Sequence, residues 1–300
     1  MARRLLLCGL LFGFVGLRPG RALAGNDRPV GDACLVVDTD VATDDFRAFG
    51  MLFPYRDLRA VVVTEGISSV PLGSTAIALY LASGQSLAPV IPGLASAAPP
   101  NYDWLAAVRA IAERINGLLA VSVPFAGDSN KLTHALAAAL KGCTRVDVLV
   151  LGPWSSFIKY APTLRPPIRR VIASGRPLSE NNPDNFNCVY DQPACEKADL
   201  FLRATRNATW VDLPADGTSY PPTQEMVDQL ARAGMPGLLR AALDLDPSQW
   251  LGTRLWDDTA ALYLLEPESF RAQGAHLEPA IGEAMFRREW VKAVNGTLSP

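Results

Sequence analysis

The apolar positions of this chain fall in short runs, separated by polar or glycine- and proline-containing turns. Residues 35–37 (LVV), 58–63 (LRAVVV), 146–151 (VDVLVL) and 169–173 (RRVIA) are compact blocks rich in β-branched residues and read as buried strands. A shorter block at 89–91 ends at Pro92-Gly93 and reads as another. Helical spacing of apolar residues is seen in FRAFGML after Asp45, in STAIALYLA at 74–82, and in WLAAVRAIAERI within 101–116. It recurs at 129–141, from about Pro193 and Thr223, and in TAALYLL after Asp258. Asn116-Gly117 and Gly142 read as helix stops. Strands alternating with helices predict one α/β domain, its mostly parallel central sheet covered by helices on both faces. No internal repeat or low-complexity linker divides it.

The first residues do not fit that pattern. MARR is basic, LLLCGLLFGFVGL is an apolar run too short to span a bilayer well, and Ala22-Leu23-Ala24 is a small-x-small cleavage site. Residues 1–24 are therefore expected to be a signal peptide and 25–300 the exported domain, periplasmic or secreted, with no membrane association after cleavage. The net charge of −2 and the lack of basic clusters exclude nucleic acid as the expected partner. Cys34, Cys143, Cys188 and Cys195 do not have zinc-site spacing. In an oxidising compartment Cys188 and Cys195 can close a short loop; buried free thiols are the alternative.

The chemistry concentrates after the first strand. LVVDTDVATDD places Asp38, Asp40, Asp44 and Asp45 at a strand's carboxyl end and the following helix start, where ligands of open α/β sheets bind. Carboxylates this close repel one another unless a cation or proton joins them, and an all-oxygen set suits a hard ion such as calcium or magnesium. The simpler alternative is a helix cap and a solvated turn. An EF-hand loop is excluded, because Thr43 stands where its glycine belongs and Phe49 where its glutamate belongs.

Four motifs in order carry a resemblance: Asp38-Thr39-Asp40-Val41-Ala42-Thr43-Asp44-Asp45, Gly152-Pro153-Trp154-Ser155-Ser156, Asn185-Phe186-Asn187 with Asp191-Gln192-Pro193, and Trp256-Asp257. They resemble the DTDxxxDD, GPLTN-like, EFN/DP and HD motifs of the calcium-dependent, inosine–uridine-preferring nucleoside hydrolases. The resemblance implies that family's fold, a Rossmann-like parallel sheet, and cleavage of ribonucleosides to base and ribose with Ca2+ as cofactor. It implies that Asp40, Asp45, the Ser155 carbonyl and Asp257 hold the ion, with Asp40 also the base toward water. Asp44 would hold the ribose 2′-hydroxyl and Asn187 another sugar hydroxyl, with Asn185 and Trp256 also facing substrate. A dimer or tetramer is implied as well.

Departures fall on the substrate side. Ile67 stands at the family's asparagine, Asn185 replaces its glutamate, and Trp256 takes the place of its frequent histidine. Two other classes compete. In a haloacid-dehalogenase-type phosphatase Asp38 is the nucleophile, Asp40 the acid, Ser174 the phosphate-binding hydroxyl and Asp257-Asp258 the magnesium pair. The other is a non-catalytic exported protein that binds sugar or calcium. Among single residues, His134 and His276 are expected on the surface, Trp210 and Trp250 in the core or an interface, and Trp104 and Trp256 either in the core or stacked on a base.

Overall fold

The structure is a computed structural model that describes residues 33–84, 86–96, 99–119, 129–180, 185–214, 220–244 and 247–299. The expected signal peptide lies outside the described residues. No helix among them is long and apolar enough to cross a membrane.

Eight strands form one sheet: β1 (Ala33–Thr39), β2 (Leu58–Val63), β3 (Val90–Pro92), β4 (Arg145–Val150), β5 (Ile168–Ser174), β6 (Ala208–Val211), β7 (Phe270–Gln273) and β8 (His276–Pro279). Their order is β3-β2-β1-β4-β5-β6-β8-β7, parallel throughout except for the β7–β8 hairpin at one edge. β1 lies between β2 and β4, and the order turns back there, since the chain winds outward from β1 to β3 and then returns to β4. That reversal is a topological switch point, where an open α/β sheet leaves a crevice at its carboxyl edge. The mostly parallel α/β sheet read from the sequence is the sheet observed.

Strands buried on both faces explain the unbroken apolar blocks. Leu35, Val37, Val61 and Val63 face one core, against α1 (Thr43–Leu52), α2 (Val70–Ser83), α8 (Gln224–Asp228), α9 (Gly234–Asp244), α10 (Pro247–Gly252), α11 (Trp256–Leu265) and α12 (Glu283–Val294). Cys34, Val36, Val62 and Val148 face the other, against α4 (Ser129–Ala139), α5 (Phe157–Tyr160), α6 (Phe186–Val189) and α7 (Gln192–Thr205). α3 (Asp103–Leu119) packs on α2.

Some expectations are corrected. α3 does not stop at Asn116-Gly117 but runs to Leu119. Asn116 is buried, and its amide donates to Ser68 Oγ at 2.6 Å and to the Val41 carbonyl at 3.1 Å, so tertiary bonds outweigh its helix-ending tendency. His276 is buried on β8 between Glu180 and Glu278 instead of exposed. His134 is exposed, as expected. The cysteines form two disulfides, Cys188–Cys195 and, across 109 residues, Cys34–Cys143.

Candidate active site

The site is built where β1 ends. Asp38 lies within β1, on the face it shares with Cys34 and Val36, whereas Asp40 lies just past the strand's end, where the alternation no longer holds. Asp38 turns inward: it is fully buried and accepts a hydrogen bond from the Thr64 hydroxyl at 2.5 Å. Asp40 turns into the crevice, where its Oδ2 accepts the Ile67 N–H at 2.8 Å. The space beside Asp40 exists only because two neighbours lack side chains. A Cβ on Gly66 would lie 2.2 Å from Asp40 Oδ2, and one on Gly152 would lie 2.8 Å from the Asp40 nitrogen.

Val41 then makes the turn, with φ at +55°. A β-branched residue in the left-handed region is strained by about 1–3 kcal/mol and persists only when its surroundings hold it. They do: its N–H donates to Thr39 Oγ1 at 3.1 Å, its carbonyl accepts from Ser68 Oγ at 2.9 Å and from Asn116, and its side chain is buried. The turn brings the start of α1 back over the end of β1. Ala42 offers no side chain to cap that helix, and Asp45 reaches back instead, its Oδ2 accepting the Ala42 N–H at 2.6 Å while Oδ1 accepts from the Thr39 hydroxyl.

α11 delivers the remaining acid. Asp257 sits in its first turn beside the start of α1. Asp44, Asp45 and Asp257 each place an oxygen so that all three lie within 4.8 Å of one another, and all three are buried. Burial and repulsion from neighbouring carboxylates raise every carboxyl of this group. Burial, then Asp40 and Asp44, push Asp45 well above the usual carboxylate range. Asp257 is raised likewise by burial and by Asp44, Asp45 and Asp40, against a hydrogen bond from Ser174. Burial lifts Asp44 to about 7, with Arg47 opposing and Asp258 and Asp40 adding. Asp40 is lifted to about 6 by burial, with the Ile67 N–H, Asp45 and Arg109 opposing. A buried oxygen-only set that repels itself fits a hard divalent ion, which would supply the missing positive charge.

A cleft of ≈ 890 Å³ opens above this cluster, lined by Asp40, Asp44 and Asp257 at its floor and by Asn185, Asn187 and Trp256 on its walls. The Asn187 amide donates to the Leu151 carbonyl at 2.8 Å, and that of Asn185 donates to the Arg176 carbonyl at 2.5 Å. Aromatic rings reach the cleft from three stretches of chain: Tyr102 and Trp104, Phe186, and Trp256. Tyr102 and Trp104 stack at 5.4 Å with their planes 11° apart, and the Arg254 guanidinium lies 5.4 Å over the Trp256 ring. Trp104 is 48% exposed and Trp256 40%, so both are surfaces for a ligand, whereas Trp210 and Trp250 are core.

The fold is that of the nucleoside hydrolases. The chain is similar to a plant nucleoside hydrolase (TM-score 0.61, 16% identity, covering 88% of this chain and 99% of that one). The inosine–uridine preferring nucleoside hydrolase of Bacillus anthracis aligns with a TM-score of 0.56 and 13% identity, over 88% of this chain and 99% of that one. An inosine–guanosine nucleoside hydrolase aligns at 0.59 and 12%, with the same coverage. No family model matches the sequence, and no curated protein does.

All the sequence-predicted side chains gather at this one sheet edge, with two differences of detail. Asp44, expected on the sugar, belongs to the ion-sized group, while Asp40, expected among the ligands, stands outside it with one oxygen on Ile67 N–H. Ser155 is buried in the turn after β4 and does not line the cleft among its described residues. Sequence reasoning named Ser174 only in the phosphatase reading and Asp191 only as part of a helix-start motif, and gave neither its contact here: Ser174 hydrogen-bonds Asp257, and Asp191 accepts from Ser155 Oγ at 2.5 Å. It also missed that Asp258 is an ion-pair partner. Arg47 donates to both Asp258 oxygens at 2.9–3.1 Å, and Trp290 Nε1 donates to Asp258 Oδ1 at 2.6 Å.

Proposed function

We propose that the chain hydrolyses the N-glycosidic bond of a ribonucleoside, giving base and ribose, with a calcium ion held at the floor of the cleft. The observation that carries the reading is the group of buried Asp44, Asp45 and Asp257 carboxylates beneath an aromatic-walled cleft, with Asp40 beside them. Asp45 and Asp257 would hold the ion with the Ser155 carbonyl and Asp40, and Asp44, in the same group of oxygens, would stand between the ion and the sugar. Bound there, the ion would orient two sugar hydroxyls and make a water easier to deprotonate.

The chain's own residues then have separable tasks. Asp40 accepts the proton of the attacking water, held by the Ile67 N–H and walled by Gly66 and Gly152. Asp44 and Asn187 grip ribose hydroxyls, which fixes the anomeric carbon over Asp40 as the bond to the base lengthens toward an oxocarbenium-like state. Asn185 lies on the cleft wall beside Arg176 and faces the rest of the sugar. Trp256 and Trp104 offer ring faces to the base. Neither histidine lines the described cleft, and an indole N–H cannot protonate a leaving base at neutral pH. Departure of the base therefore relies on stacking and solvent.

Two observations weigh against the phosphatase reading. Asp38, its nucleophile, is fully buried against Thr64 and does not line the described cleft. Asp258, half of its magnesium pair, is consumed by Arg47 and Trp290. The reading includes export with cleavage after Ala24, which the two disulfides support, since they persist in oxidising compartments. The test is a panel of nucleosides and phosphate monoesters assayed for free base, free ribose and phosphate. Equal release of base and ribose is expected. Phosphate release without base would move the chain to the phosphatase class, and silence on both would leave it a binding protein.

A further inference from the structure

The geometry points to Asp191, braced by the Cys188–Cys195 disulfide, as the positioning residue for the turn that carries the Ser155 carbonyl. This rests on the proposed ion site. A main-chain ligand has no side-chain torsion to adjust, so its aim is fixed by whatever holds its turn. Thr64 and the Leu94 N–H hold the far end of this turn through Ser156 Oγ, and the Asp38 carbonyl holds its start; residues 187–195 supply the remaining ties, and among the hydrogen bonds described only theirs reaches the Ser155 side chain. Ser155 Oγ donates to Asp191 Oδ2 at 2.5 Å. The Asn187 amide donates to the carbonyl of Leu151, at the start of the same turn. Trp154 packs in the same core as Cys188 and Cys195.

Asp191 is itself fixed from both sides. It is the N-cap of α7, its Oδ1 accepting the Ala194 N–H at 3.2 Å and its carbonyl accepting from Cys195 N at 2.9 Å. One carboxylate oxygen thus holds the helix and the other holds the metal turn. The disulfide ties α6 to the first turn of α7, with Cα atoms 5.0 Å apart and both cysteines buried, so Asp191 sits inside a covalently closed loop. A cap that served only its helix would need neither the bond to Ser155 nor the cross-link. Side chains that orient metal ligands in this way typically govern affinity strongly, although they touch no metal.

Calcium titration calorimetry on the full chain tests this. Ser155→Ala removes the hydroxyl and leaves both the main-chain carbonyl and the α7 cap in place. It should weaken calcium binding roughly 10- to 100-fold, and amide exchange at Ser155 and Ser156 in chelator should speed up. Asp191→Ala should weaken calcium at least as much. Cys188→Ala/Cys195→Ala should lower affinity in the same direction. If the last two fail to fold, Ser155→Ala still decides, because it leaves the cap and the cross-link intact. Wild-type binding with Ser155→Ala within about twofold of it would show that the contact positions nothing. Wild type that binds no divalent ion would instead remove the ion site itself, and this proposal with it.

Discussion

Helices α1 and α11 bury two polar clusters side by side, and the two are electrostatic opposites. From one end come Asp44, Asp45 and Asp257, all acids and all raised in pKa by burial and by one another. One position further along α11, Asp258 meets Arg47 of α1, with both side chains at 0% exposure. That pair is complete. The Arg47 guanidinium also reaches the carbonyls of Trp250, Thr253 and Arg254, and Trp290 supplies a further donor to Asp258. Burying charge is costly unless it is paired and hydrogen-bonded. The Arg47 cluster meets that condition from within the chain and joins the two helices. The acid cluster meets it only with a proton or a cation from outside, and that is the difference between the two clusters.

The largest expected effect is on the acid side. Asp40→Asn keeps the shape of the turn and removes the base, so turnover on the best nucleoside should fall about 100- to 10,000-fold, as for other positioned bases. Near wild-type turnover would remove Asp40 from the chemistry. On the paired side, Arg47→Met strands Asp258 in the core and should cost ~3–5 kcal/mol of stability in chemical denaturation. Asp257→Asn should behave oppositely: in chelator it relieves repulsion and raises the melting temperature by about 2–4 °C, while abolishing the rise that calcium gives wild type. Melts of both variants with and without calcium read this contrast directly. Equal destabilisation by both would erase the distinction between the clusters.

How much of this was legible in the sequence follows from how local each feature is. β1 and its acids are contiguous, so the strand, the carboxylates at its end and the helix after them were readable from residues 35–45. The ion pair was not. Arg47 sits inside an apolar helix where a lone cation reads as solvent-facing, and its partner is 211 residues away. The Cys34–Cys143 bond is hidden for the same reason. β6 and the β7–β8 hairpin escaped because ATWV, FRAQ and HLEP are only four residues long, and FRAQ and HLEP mix apolar with polar residues, so no long apolar run marks them. α12 carried a readable signal in Phe286, Trp290 and Val294, which recur at helical spacing and are all buried.

A smaller effect follows from pH. Asp44 is raised to about 7 and Asp38 to about 7 from 3.8, both chiefly by burial. Groups whose folded pKa exceeds the unfolded value bind more protons when folded, so stability in chelator should decline as pH rises from about 4 to about 7. Saturating calcium should flatten the share of that decline due to Asp44, Asp45 and Asp257. Urea midpoints across that range measure it, and an identical slope with and without calcium would place the ion elsewhere.

The smallest effects concern the departing base. Trp256→Ala should lose turnover on a natural nucleoside, while His134→Ala and His276→Ala stay within about tenfold of wild type, below the usual general-acid effect. His134 is exposed on α4 and His276 is enclosed by Glu180 and Glu278. A thousandfold loss in either histidine variant, recovered on a riboside with an activated leaving group, would identify that histidine as the acid.

The direct measurement is base release from a nucleoside as a function of free calcium, starting from protein stripped with chelator. Saturable activation from near zero, reversed by chelator and missing in Asp257→Asn, is expected if the unpaired acids hold the working ion. Equal turnover in excess chelator and in calcium would contradict it.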